Sequence, residues 1–169
     1  VLLSSARSLV LDADALNRIA EDPQLQALLR QRRPRGMCTV ITPHPLEAAR
    51  LLGSSTSEVM GDRLGATRTL CESLGVVCVL KGSGTVVQAP GEPPHINSSG
   101  NPALATAGTG DVLAGWIGAA LAAGTRQDRP AVSSVLNAVF GHGQLADRWV
   151  QEHAETLTAH RLVMNIRAR

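Results

Sequence analysis

The chain has almost no aromatic residues: among its 169 there is no Tyr, one Phe and two Trp. Gly, Ala, Val and Leu dominate instead. That composition fits layered helices and strands with close backbone approach, not an aromatic-rich β-sandwich. Cysteine is scarce and unpaired in pattern. Cys38, Cys71 and Cys78 lie in or beside apolar runs, make no C-x-x-C spacing, and read as buried thiols of a reducing compartment. No apolar run approaches the ~20 residues of a membrane span, and no charged leader with a cleavage site is visible. A cytoplasmic protein with no membrane partner is expected. Neither sign of charge dominates, with 16 basic residues against 14 acidic and a net charge of +2. Nothing there calls for nucleic acid, and no such partner is expected. The one basic cluster, Arg30, Arg32, Arg33 and Arg35, reads as a solvated loop. An initial Met is also missing, and a strand-like run, Ser8 to Asp12, comes almost at once. Residues 1–169 read as a single domain, and such a start fits a complete α/β domain as well as a fragment of one.

The length suits one domain with a real core, and 44% apolar against 18% charged residues rules out a disordered tail. Strands are expected at Leu9–Leu11, Met37–Ile41 and Val76–Leu80, the last a continuous apolar run of the kind buried on both faces. Val86 and Val87 read as a returning strand of a hairpin, and Gln88 to Ser99 as loop. Helices are expected at Leu25–Leu29, at Leu46–Leu52 closed by Gly53, and at Asp62–Ser73 closed by Gly75. A very apolar helix at Asp111–Ala123 and another at Ala131–Asp147 follow, with a tail helical from Gln151 through Arg161. Alternating strands and helices predict an α/β sandwich.

The richest segment runs from Asn97 to Asp111. Gly108 and Gly110 leave no Cβ between the amides and an incoming group. A helix begins right after them, so free N–H groups and the helix dipole converge on one spot that suits a phosphate. Asp111, in or beside the first turn, is placed to act as a base toward a hydroxyl near a terminal phosphoryl group. Taken alone, Gly108-Thr109-Gly110-Asp111 also describes a tight turn with an Asp cap. It is neither a Walker P-loop nor a dinucleotide fingerprint.

A second glycine turn, Lys81-Gly82-Ser83-Gly84-Thr85, follows the apolar strand. It fits a nucleotide wrapped by backbone amides with Lys81 supplying charge, and equally an ordinary hairpin with a solvated Lys. In Thr42-Pro43-His44-Pro45 the two rings stiffen the chain around His44. The segment is either a strand-to-helix turn or a rigid mount for an imidazole that bonds a polar ligand. One His without a companion at ligand spacing argues against zinc, and no protein metal site is expected. His142 and His160 read as surface or packing residues. Asp12, beyond the first strand, reads as a polar-site residue facing a ligand, a water or a magnesium shell. Asp14 reads as a helix cap, with Asn17 in the first turn.

Together these segments resemble the ADP/ATP-dependent NAD(P)H-hydrate dehydratase family of the ribokinase-like superfamily. The likeness lies in Leu11 to Asn17, Thr42 to Gly53, Val79 to Val87, and Gly100-Asn101-Pro102 through Gly115. It implies the C-terminal portion of a three-layer α/β/α sandwich. It implies repair of NADH and NADPH hydrated on the nicotinamide ring, by phosphorylation of the ring hydroxyl from ADP or ATP with Mg²⁺ and loss of phosphate. Asp111 corresponds to the base, and His44, Asp12 and Asn17 to substrate-side positions. Lys81 to Thr85, with Gly108, Thr109 and Gly110, correspond to nucleotide contacts. Homo-oligomers, or association with the absent N-terminal portion, are implied as well. Alanines at 103 and 107 depart from the glycines of the family pattern and predict a crowded amide cradle. The rival readings are a small-alcohol kinase of the same fold and a non-catalytic nucleotide-binding or structural module.

Overall fold

Short apolar runs stopped by turn residues become the parallel strands of one sheet. The computed structural model describes residues 1–125, 127 and 130–166. The chain folds as two compact units, Val1–Ile96 and Asn97–Arg169.

The first unit begins with a single helical turn, α1 (Leu2–Ser5), and β1 (Ser8–Leu11). Then come α2 (Asp14–Glu21), α3 (Pro23–Arg30), β2 (Cys38–Ile41), α4 (Pro45–Leu52), α5 (Thr56–Gly61) and α6 (Arg63–Leu74). It closes with β3 (Val77–Leu80), β4 (Val86–Gln88) and β5 (His95–Ile96). The sheet order is β1-β2-β3-β4-β5. The first three strands are parallel, with Leu11 opposite Ile41 and Ile41 opposite Cys78, and the last two turn back antiparallel. Local chemistry sets the helix ends. Asp22 accepts from the amides of Gln24 and Leu25 ahead of Pro23, and Ser55 and Glu58 exchange bonds in a capping box. Gly53 and Gly75 end α4 and α6 in the left-handed conformation, as expected. Leu16, Ile19, Leu29, Ala48, Val59, Leu70 and Leu74 from the helices form one cluster with Ile41, Cys78, Leu80 and Val86 from the sheet. Truncating one of the larger ones to Ala costs about 2–5 kcal/mol. Burial pushes the Cys71 thiol up to about 12 and the Cys78 thiol upward as well. Both are packing groups, not nucleophiles.

The second unit holds α7 (Thr109–Thr125), α8 (Ala131–Glu152) and α9 (Ala159–Asn165). Ala146, Trp149, Leu157 and Leu162 form its core cluster, with Leu104, Val112 and Leu145 packed on it. No helix among the described residues is long and apolar enough to cross a membrane.

Four expectations are corrected. Arg32 is not solvated: it is 1% exposed, while Arg30, Arg33 and Arg35 face water. Its guanidinium donates to the carbonyls of Leu3 (2.7 Å), Ala6 (2.8 Å) and Cys38 (3.2 Å) and to the Thr39 hydroxyl (2.6 Å). Five N–H groups in a rigid fork can tie α1 to β2 in this way, which outweighs the preference of charge for water. The segment Gln88–Ser99 is not all loop, because Gln88 ends β4 and His95–Ile96 pair back onto Val87 and Val86. Asp14 caps nothing with its side chain. It is the first residue of α2, and Ala13 stands at the cap. The tail helix breaks at His153–Thr158, where the Trp149 indole N–H donates to the Glu155 carbonyl and Thr158 caps a new helix.

Candidate active site

In the first unit, parallel pairing brings the carboxyl ends of three strands to one sheet edge, where α/β folds collect ligands. Asp12 leaves β1, Thr42-Pro43-His44 leaves β2, and Lys81 leaves β3. The Lys81 amide donates to the Pro43 carbonyl at 2.8 Å. The Lys81 ammonium lies 2.8 Å from Asp12 Oδ1 and 4.0 Å from Glu47 Oε2. Glu47, 4% exposed, also accepts the His44 amide at 2.8 Å. His44 caps α4: its Nδ1 accepts from the amides of Leu46 and Glu47 at 3.2 and 3.4 Å. Its Nε2 lies 3.3 Å from Glu47 Oε1. A neutral ring protonated on Nε2 satisfies all of these contacts. His44 is thus a helix cap and a half-exposed imidazole together. Asn17 joins a different contact, accepting from Arg50 at 2.7 Å. Ala13, beside Asp12, is the one described non-glycine residue with positive φ, at 49°. Such a conformation costs of order 1–3 kcal/mol and persists where surroundings impose it. Here the Asp12 carboxylate accepts the Ala13 amide at 2.9 Å.

The turn Lys81–Thr85 bends at Gly82 (φ 143°) and Gly84 (φ 63°). Arg63 of α6 grips its carbonyls, donating to Ser83, to Leu80 at 3.2 Å and to Lys81 at 3.5 Å. The Thr85 hydroxyl donates to the Gly82 carbonyl at 3.1 Å. The Lys81 charge is directed to Asp12, and Gly82 and Ser83 stay exposed.

In the second unit, the loop to α7 is tightly bonded to itself. The Thr109 hydroxyl, in a residue 5% exposed, reaches the carbonyls of Leu104 at 2.6 Å and Thr106 at 2.8 Å. The Thr109 amide goes to Thr106 at 3.3 Å and the Val112 amide to Gly108 at 3.1 Å. Of the first four amides of α7, those of Gly110 and Asp111 have no acceptor among the described residues. Two free donors at a helix N-terminus, with the exposed Asp111 carboxylate beside them, suit an anion. Gly108 has φ 83°, and a Cβ there would come within 3.0 Å of the Ala159 methyl. His142 Nε2 lies 3.0 Å from the Thr109 carbonyl, and the ring is buried beneath the head of α7.

Burial pushes the His142 imidazole below the usual histidine range. The unfolded chain then takes up a proton that the folded chain refuses. Stability from the neutral ring is complete above about pH 6.5 and declines as pH falls below it. The Tm of the wild type is expected to fall below about pH 6.5 more steeply than that of His142→Gln, whose amide does not titrate. Parallel Tm–pH curves would rule this out.

Four residues of these sites were not legible in the motifs: Glu47 as the buried bridge, Arg63 on the turn, His142 under α7, and Asp147 of α8. Asp147 accepts the Gly100 amide at 2.8 Å and the Asn101 side-chain amide at 2.9 Å. Each partner lies far along the chain or on another element, and no local spacing signals it.

The family model for NAD(P)H-hydrate dehydratase matches residues 1–168. The chain belongs to the NAD(P)H-hydrate dehydratase family. It is 42% identical over 141 residues to an ADP-dependent (S)-NAD(P)H-hydrate dehydratase of Neisseria meningitidis, covering 83% of this chain and 45% of that protein. A Bacillus subtilis ADP/ATP-dependent NAD(P)H-hydrate dehydratase, crystallised with ATP/Mg²⁺, superposes with a TM-score of 0.79 at 34% identity. That match covers 95% of this chain and 53% of the other. A ribokinase-like superfamily protein of Enterococcus faecalis, 24% identical, matches with a TM-score of 0.65, covering 96% of this chain and 62% of its own. That likeness extends the agreement to the fold alone, and the ribokinase-like α/β class expected from the sequence holds. The chain spans about half the length of the NAD(P)H-hydrate dehydratases it matches. No backbone strain accompanies the two alanines expected to crowd the amide cradle. Ala103 and Ala107 have ordinary φ, and Ala107 faces solvent.

Proposed function

We propose that the protein carrying these residues restores hydrated NADH and NADPH at the expense of ADP or ATP. The observation that carries this reading is the pair of unbonded amides at Gly110 and Asp111, set beside the Asp111 carboxylate in a chain of this family. The amides take oxygens of the nucleotide's terminal phosphoryl group, with the backbone of Gly108 and Thr109 shaping the turn. Asp111 accepts the proton of the ring hydroxyl as its oxygen bonds phosphorus and the bridging P–O bond of the nucleotide breaks. Phosphate then leaves the ring carbon with its bonding electrons. The adjacent carbon gives up a proton, and the double bond returns.

Lys81 to Thr85 are assigned to the nucleotide, with amides of an exposed glycine turn as donors. Asp12, His44 and Asn17 are assigned to the substrate side. Among the described residues no three His, Cys, Asp or Glu side chains gather to hold a metal. That donor set fits Mg²⁺ bound mainly by nucleotide phosphates and water, where it would neutralise phosphate charge. The three free thiols support a reducing, cytoplasmic setting. Residues 1–169 are taken as the C-terminal portion of one domain. β1 is an edge strand beside an apolar groove of about 420 Å³ lined by Leu9, Leu11, Ile19, Leu25 and Leu28. This edge supports pairing with a further strand, supplied by another segment or by a second copy.

The test supplies hydrated NADPH, Mg²⁺ and ADP or ATP and follows the absorbance of reduced nicotinamide. Its return, with one phosphate released per ring, is the expected result. Phosphorylation of a simple alcohol without that return would point to a kinase, and nucleotide binding without turnover to a non-catalytic module.

A further inference from the structure

We propose that Asp147, on α8, is a positioning residue that sets the Gly108–Asp111 amides in place, an inference that rests on reading that turn as a phosphate site. Phe140, Gly143 and Asp147 share one face of α8 at helical spacing. All three meet the start of the loop. Ser99 Oγ donates to the Phe140 carbonyl at 2.8 Å. A Cβ on Gly143 would fall 2.6 Å from the Ser99 carbonyl carbon and 2.8 Å from the Gly100 nitrogen, so only glycine allows this approach. Asp147 then receives two N–H donors, one on each oxygen: the Gly100 amide at 2.8 Å and Asn101 Nδ2 at 2.9 Å.

From Asn101 the bonds run without a gap to the cradle. Asn101 Oδ1 accepts the Ala103 amide at 3.0 Å and starts the tight turn Pro102–Leu104. The Thr106 hydroxyl donates to the Ala103 carbonyl at 3.1 Å, and the Thr109 hydroxyl to the Leu104 carbonyl at 2.6 Å. His142 of the same helix closes the circuit at the Thr109 carbonyl. α8 therefore holds both ends of the loop, with Asp147 at one and His142 at the other. An acceptor-only carboxylate is the group this position needs, because both of its partners are donors.

The chemistry of the pair supplies the test. In Asp147→Asn the new NH₂ faces the NH₂ of Asn101. In Asn101→Asp two carboxylates face each other. In the double variant the new amide oxygen at position 147 takes the Gly100 amide. Its NH₂ meets the new carboxylate at position 101, whose other oxygen keeps the Ala103 amide. Calorimetry with MgADP is expected to show each single variant binding about tenfold or more weakly, and the exchange restoring wild-type affinity. Amide NMR signals of Gly108–Asp111 are expected to shift in both single variants and return in the double, without any nucleotide. Unchanged ADP affinity and unshifted signals in Asp147→Asn would overturn the proposal. So would a folded double variant that still binds weakly. If the single variants do not fold, the double variant decides alone, by wild-type affinity and signals or by their loss. Should the wild type bind no ADP, the reading of the function falls, while the NMR comparison still decides whether Asp147 sets the turn.

Discussion

Asp111→Asn lowers kcat for restoration of hydrated NADPH by about 10²–10⁴-fold, the range expected for losing a general base. The substitution keeps the size and shape of the side chain and removes only its ability to take up a proton. The amides of Gly110 and Asp111 belong to the backbone and remain in place, so MgADP affinity stays largely intact. Asp111 is exposed, and its packing role is small, so Tm changes little. The loss should therefore appear in kcat and not in the KM for nucleotide, because the missing interaction forms only as the hydroxyl attacks. A variant retaining more than about a tenth of kcat would place the base elsewhere. A parallel loss of ADP binding would mean that the carboxylate holds the nucleotide and not the proton.

Arg32→Met destabilises the fold by about 3 kcal/mol, since several buried acceptors lose a charged donor together. The methionine fills much of the stem's volume. It cannot bond the carbonyls of Leu3, Ala6 and Cys38 or the Thr39 hydroxyl. For a chain of this size that corresponds to a fall in Tm of roughly 6–12 °C. Arg32→Lys recovers little, because one ammonium cannot reach all of these acceptors, spread as they are from α1 to β2. Arg35→Met, on the exposed side of the same cluster, is the control and should lie within about 0.5 kcal/mol of the wild type. Equal urea midpoints for Arg32→Met and Arg35→Met would refute the assignment. Activity is not the readout, so this result stands whatever the protein's substrate.

The local features were legible because their causes are local. Gly53 and Gly75 end helices through their own backbone angles, and Val77–Leu80 is a strand because four apolar residues in succession are buried. Gly108 to Asp111 could be read as a free helix start, since glycines and a following apolar helix are neighbours in the chain. His44 was legible as a stiff mount at a strand-to-helix turn, but that its ring caps α4 was not. The failures share a different cause. Arg32 looked like one of four solvated charges because its acceptors include carbonyls about thirty residues earlier, in and just after α1. His95–Ile96 looked like loop because a two-residue strand exists only through its pairing partner. Glu47 looked like an ordinary first-turn acid until Lys81, beyond another strand, came within 4.0 Å of it.

Sequence alone was therefore enough for the alternation of strand and helix, the two glycine turns, the acid heading α7 and the family they announce. These follow from steric freedom, burial and spacing over a few residues. Tertiary structure alone decided which charges are buried, which carboxylate meets Lys81, and that α8 grips the loop before α7 through Gly143, Asp147 and His142. A hydrogen bond or an ion pair needs two groups within about 3–4 Å, and only folding brings groups that lie tens of residues apart to that distance.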